Sequence, residues 1–175
     1  GHIVTVQDQQ AGATVTTRQG YDVLGHIVDA QQCVDGVCLA LWSAYDQAGR
    51  LASITYPDAS GAVSRSSETV VHTYDEAGRL QAVGGYATAL SYDLDGQLAG
   101  TTYGNGVTTD YSYHPQTLRL EGLLSKTAGS SVLQDFSYAF DGVGNVTQLT
   151  DRVRSATQTF GYDALNRLAS ASGSY

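Results

Sequence analysis

The seven residues Tyr45–Leu51, YDQAGRL, return almost letter for letter as YDEAGRL at Tyr74–Leu80. Further copies are YDVLGHI from Tyr21, YDLDGQL from Tyr92, FDGVGNV from Phe140 and YDALNRL from Tyr162, with a worn copy, YHPQTLRL, from Tyr113. The starts at 21, 45, 74, 92, 113, 140 and 162 are 18 to 29 residues apart. A unit that short cannot bury its own apolar face, so neighbouring units must stack into an array. No other feature constrains the fold as tightly.

The word has a physical reading. Asp at the first position of a type I turn bonds its own backbone two residues on, and Gly suits the fourth. A type I turn followed by a left-handed residue closes a three-residue hairpin loop with a bulge. The expected turn residues are Asp22/Gly25, Asp46/Gly49, Asp75/Gly78, Asp93/Gly96, Asp141/Gly144 and Asp163/Asn166. Asn at 166 supports this reading, because Asn tolerates the left-handed region best after Gly. In this register Asp46 lies across from Arg50, and Tyr45 across from Leu51. The same holds for Tyr74 with Leu80 and Tyr162 with Leu168. Such aromatic–aliphatic pairs contribute about 0.2–1 kcal/mol each. Arg79 and Arg167 repeat the polar partner, and His26, Gln97 and Asn145 replace it elsewhere.

Between the words lie other turn signals: Asp35-Gly36 and Asn105-Gly106 as two-residue hairpins, then Gly84-Gly85, Tyr56-Pro57-Asp58 and Ala128-Gly129-Ser130. Alternating stretches such as Val70–Tyr74 and Val107–Tyr113 flank them, rich in β-branched and aromatic residues. No window holds a 3.6-residue apolar period. The expected fold is all-β: consecutive antiparallel hairpins forming a sheet that twist and bulges curve into a spiral. Residues 1–175 are expected to be one repeat array without a second domain. Gly1–Val4 repeats Gly25–Val28, the back half of a word, so the array is expected to continue beyond both ends.

With 20 Gly, 12 Tyr, 3 Phe and 1 Trp, the composition suits a thin sheet better than one thick core. The net charge of -8, with nine basic residues, leaves no basic face to neutralise phosphates, which argues against nucleic acid. Arg152 and Arg154, the densest basic spot, read as a solvated strand face. No run approaches the ~18 apolar residues of a membrane span.

The chain resembles the Rhs/YD-repeat family, through Tyr-Asp-x-x-Gly-Arg-Leu, Tyr-Gly-Asn-Gly-Val at Tyr103–Val107 and Tyr-Pro-Asp at Tyr56–Asp58. That family includes bacterial Rhs polymorphic toxins, C components of Tc insecticidal toxin complexes, wall-associated bacterial toxins and animal teneurins. The resemblance implies a β-strip that closes into a hollow shell, enclosing a toxic domain in the toxins. Adjoining repeats and an enclosed toxin are then the implied partners, and export to the surface or medium the implied location. Cell-surface adhesion through glycans is the alternative. Toxin-bearing members follow their repeats with a self-cleaving segment containing Asp-Pro. The only prolines here are Pro57 and Pro115, neither preceded so as to match, and neither an autoprotease nor a toxic domain is assigned to these residues.

No catalytic, cofactor-binding or metal-binding residue is expected. Asp93-Leu94-Asp95-Gly96 fails as a calcium loop, because its twelfth position is Gly104 where an EF-hand needs Glu. No helix follows Gly142-Val143-Gly144 to make it a phosphate loop. Cys33 and Cys38 flank the Asp35-Gly36 turn as an opposed pair close enough for a disulfide. Export favours the bond, and two thiols are the alternative. Trp42 is expected between packed layers, with sugar stacking the other reading.

Overall fold

A computed structural model describes residues 2–10, 13–58 and 67–173. Among them are fifteen strands and no helix. The chain divides into two compact units, Gly1–Gly84 and Gly85–Tyr175.

The first unit contains β1 (Ile3–Gln10), β2 (Ala13–Tyr21), β3 (Ile27–Val34), β4 (Val37–Tyr45), β5 (Leu51–Thr55), β6 (Thr69–Tyr74) and β7 (Leu80–Val83). Each pairs antiparallel with the next. The second contains β8 (Ala87–Tyr92), β9 (Leu98–Tyr103), β10 (Thr108–Tyr113), β11 (Leu120–Lys126), β12 (Val132–Phe140), β13 (Val146–Asp151), β14 (Ala156–Tyr162) and β15 (Leu168–Gly173), again paired in sequence order. The chain is all-β, built of consecutive antiparallel hairpins.

In a sheet of this order, alternate turns lie on the same edge. The heptapeptide supplies every second connection, so its copies line one edge of each unit. At each copy the ladder shifts by one residue beside the Tyr or Phe: Ala44 opposes Ser53 but Tyr45 opposes Leu51, leaving Ala52 extra. Tyr74/Leu80 and Tyr162/Leu168 pair in the same way. That bulge follows from a type I turn closed by a left-handed residue.

The opposite edge carries the other turns. Asp35 and Gly36 both have positive φ, +49° and +84°, as a two-residue hairpin requires. Asn105-Gly106 differs from the expected two-residue loop. Tyr103 N–H bonds Val107 O, and only Gly106, at +80°, is left-handed, so the loop is the three residues 104–106. Packing explains the longer loop: a Cβ on Gly104 would run into the Gly85 carbonyl oxygen, and Gly104 N–H bonds Tyr86 O at 2.9 Å. The connection after Tyr56-Pro57-Asp58 runs on through residues 59–66, outside the described residues.

The interior is thin. Among the described residues the buried apolar ones are Ala40, Val70 and Ala156, and no large side chain is wholly enclosed. Thr101, Thr109 and Ser125 are as buried as these. The hydroxyls of Thr109 and Ser125 run across the strands, Thr109 Oγ1 to Ser125 Oγ at 2.8 Å and Ser125 Oγ to Gln134 Oε1 at 3.3 Å. Buried hydroxyls are tolerated when paired, and strand register pairs them here.

Candidate functional site

Residues 45–51 show how one copy is built. Gly49 N–H donates to Asp46 O (3.0 Å), and Asp46 N–H to Arg50 O (2.8 Å). Asp46 Oδ1 accepts the amides of Ala48 and Arg50, both at 2.9 Å, and Oδ2 accepts Arg50 Nε at 2.7 Å. Gly49 has φ +78°. One carboxylate therefore satisfies two loop amides and holds the side chain across the strand.

Asp75 with Arg79 and Asp163 with Arg167 repeat the ion pair. Asp141 holds Asn145 Nδ2 at 2.9 Å, and Asp22 Oδ2 lies 2.8 Å from His26 Nδ1. Asp93 accepts the Gln97 amide, but the Gln97 side chain reaches instead to Leu118 O. Gly25, Gly78, Gly96 and Gly144 have φ between +81° and +105°, and Asn166 has +59°. The Arg50 backbone amide, then its side chain, holds the Asp46 carboxyl below the usual range. Asp75 and Asp163 are lowered likewise, by the backbone amides of Arg79 and Arg167 first. The Asn145 side chain does most to lower Asp141. Partial burial pushes Asp22 up, but its bonds to His26 and the Leu24 amide outweigh this.

Contacts between copies are a feature that sequence reading did not reach. The Tyr hydroxyl opening one copy donates to the carbonyl of the seventh residue of the copy before. Tyr45 bonds Ile27 O (3.1 Å) and Tyr74 bonds Leu51 O (2.8 Å). In the second unit Tyr113 bonds Leu98 O and Tyr162 bonds Val146 O, both at 2.9 Å. At several turns the polar side chain that closes the loop lies over the next ring. His26 stacks on Tyr45 with centroids 4.5 Å apart, and Arg50 sits 4.4 Å from the Tyr74 centroid. His2 stacks on Tyr21 at 4.6 Å, and Arg119 lies 5.7 Å from the Phe140 centroid. His26, Arg50 and Arg119 also lie against the next left-handed residue: a Cβ on Gly49 would come within 3.3 Å of His26 Nε2. Each unit thus carries a ladder of interlocked turns. The signal was present in the sequence, since each polar sixth position before the last copy is followed by an aromatic first position, but only the shared edge turns that order into contact.

A disulfide joins Cys33 and Cys38, which face each other with Cα atoms 4.0 Å apart. Asp35 ties that tip to β2 by exchanging bonds with Thr14. Trp42 is half-buried, with Asp29 and Thr55 as its strand neighbours. Arg152 and Arg154 lie in the turn between β13 and β14 and not on the strand face expected, and they are ion-paired to Asp135 and Asp151. Exposed Leu39 and Leu41 line an open groove of about 540 Å³ with Tyr56 and Pro57. Among the described residues no group of three His, Cys, Asp or Glu could hold a metal, and no helix is long and apolar enough to cross a membrane.

Comparison with known proteins gives a consistent picture. The RHS Repeat family model matches residues 74–108 and 135–174. The toxin subunit YenC2 of Yersinia entomophaga is 34% identical over 149 residues, covering 69% of this chain and 15% of that protein. YenC1 of the same organism is 35% identical over 100 residues, covering 49% of this chain and 10% of that protein. The chain therefore spans a small fraction of these relatives. The crystal structure of TcdB2-TccC3 superposes with a TM-score of 0.72 at 24% identity, over 89% of this chain and 9% of that one. The Tc holotoxin pore of Photorhabdus luminescens gives 0.71 at 23% identity, over 90% and 9%. At such identities the structures speak for the fold alone.

Proposed function

The chain belongs to the Rhs/YD-repeat family, and from that premise we propose that it is a wall segment of an Rhs-type β-shell that encloses a toxin or effector domain. The observation that carries this is the ladder. In the Tyr45 copy Asp46 is spent on its own turn, and the Tyr45 hydroxyl and the Arg50 side chain on the copies to either side. Polar residues repeated along the chain are thereby used in holding a sheet together, which suits a partition. The names of YenC1 and YenC2 as toxin subunits support an exported assembly. Adjoining repeats would pair with the sheet edges, and the enclosed domain would be the partner inside. The whole of residues 1–175 would serve as one stretch of repeat array.

Limited proteolysis of the full-length protein tests this reading. The enclosed domain should resist cleavage in the wild type and become cleavable when Asp46→Ala and Asp75→Ala break two turns. A domain equally cleavable in both would rule out containment.

A second reading, surface adhesion through glycans, draws on Tyr86 and Tyr103. They are 53% and 37% exposed and line a groove of about 280 Å³ with Asn105. Aromatic faces beside an amide suit a sugar ring. A glycan array that gives no signal with the wild-type protein would remove it.

A further inference from the structure

The Tyr113 copy is the one that departs from the word, and its chemistry differs in kind. His114 stands where the other copies have Asp. The amides of Gln116 and Thr117 both point at His114 Nδ1, each at 3.2 Å. The backbone closes around them, with His114 N–H on Arg119 O (2.9 Å) and Leu118 N–H on His114 O (2.8 Å). Two amide donors require a lone pair on Nδ1, so the ring is the neutral tautomer with its proton on Nε2. The loop is one residue longer than the others, and Leu118 holds the left-handed position at φ +56°. A branched side chain there is less at ease than Gly.

We infer that the Tyr113 turn is an acid-sensitive seam in the ladder, opened when His114 takes a proton on Nδ1. Protonation turns the acceptor into a donor facing two donors, and both loop amides lose their partner. An Asp in the same place keeps its charge and its bonds at mildly acidic pH. The surroundings give the ring somewhere to go. His114 borders a groove of about 440 Å³ with Glu121 of β11, Tyr138 of β12, Asp141 of the next turn and Arg119 of its own loop. Asp141 is committed to the amides of its own turn and to Asn145, and Arg119 to Asp141 O and the Phe140 ring, so Glu121 is the carboxylate of that lining toward which the charged ring would turn.

Opening this loop reaches both neighbours. Gln97 of the copy before donates to Leu118 O, and Arg119 donates to the Asp141 carbonyl of the copy after. Acid would therefore loosen the join between the Tyr92 and Phe140 copies first. His26 provides an internal contrast, because its Nδ1 faces the Asp22 carboxylate as a donor. A proton added at Nε2 leaves that bond in place.

The test is amide hydrogen exchange by mass spectrometry on the full chain at pH 7.5 and 5.5, corrected for intrinsic exchange. Peptides spanning residues 114–119 should lose about tenfold protection in acid, the scale of one to two net hydrogen bonds. Peptides over residues 21–27 and 45–51 should hold theirs. His114→Asp should keep the 114–119 segment protected at both pH values, and His114→Asn supplies the same carbonyl acceptor should the Asp variant fail to fold. Unchanged protection in the wild type would overturn the inference, as would an equal loss in the variants. The outcome is independent of what the shell encloses.

Discussion

At the scale of single residues, the left-handed position decides most. Gly49 and Gly78 have φ of +78° and +81°. A β-branched residue is a steric outlier there. At Gly49 the new side chain would also press on His26. Gly49→Val and Gly78→Val should each destabilise the protein by about 1–3 kcal/mol, read as a lower denaturation midpoint. The reverse holds at Leu118, which already pays the strain. Leu118→Gly should stabilise the protein by about 0.5–1 kcal/mol, read as a higher midpoint: the relief of strain less the added freedom of Gly in the unfolded chain. The Gln97 bond accepts at the Leu118 backbone, so it survives the change.

At the scale of the element, a turn and its neighbour form one unit of stability. Tyr74→Phe keeps the ring under Arg50 but deletes the bond to Leu51 O. It should cost about 0.5–1.5 kcal/mol, and a double-mutant cycle with Arg50 would separate the stacking. The Asp anchors set the response to strong acid. Asp46, Asp75, Asp141 and Asp163 have folded pKa values below the ordinary 3.8. A lowered carboxyl stabilises the fold fully above its unfolded value and ceases to do so as pH falls through the folded one. Thermal midpoints should therefore hold steady above about pH 4 as far as these turns are concerned and fall below it. The drop should shrink in Asp75→Asn, which no longer titrates.

At the scale of the whole molecule, effects should stay local. Within each unit contacts join each strand to the next in sequence, and stability in such an array is close to a sum of nearest-neighbour terms. The disulfide at the β3–β4 tip closes a very short loop. Reducing it should raise hydrogen exchange around residues 33–38 and at Thr14, which Asp35 binds, while the Tyr74 copy stays protected. A global loss of protection on reduction would mean that this tip, and not the ladder, holds the first unit.

Much of this could be read from the letters. Asp-x-x-Gly states a turn with its capping carboxylate and its left-handed residue, and those are local matters of backbone geometry, complete within five residues. Alternation and the absence of helical period were enough for an all-β chain of hairpins. Asn105-Gly106 shows the limit: the dipeptide suits a two-residue loop, yet Gly104 lies against the Gly85 carbonyl and the loop takes three. Nor could one copy reveal that its Tyr hydroxyl and its sixth side chain belong to the copy beside it. Local geometry is decided by residues that are neighbours in the chain. The ladder is decided by residues that become neighbours only once strand pairing has brought every second turn to one edge.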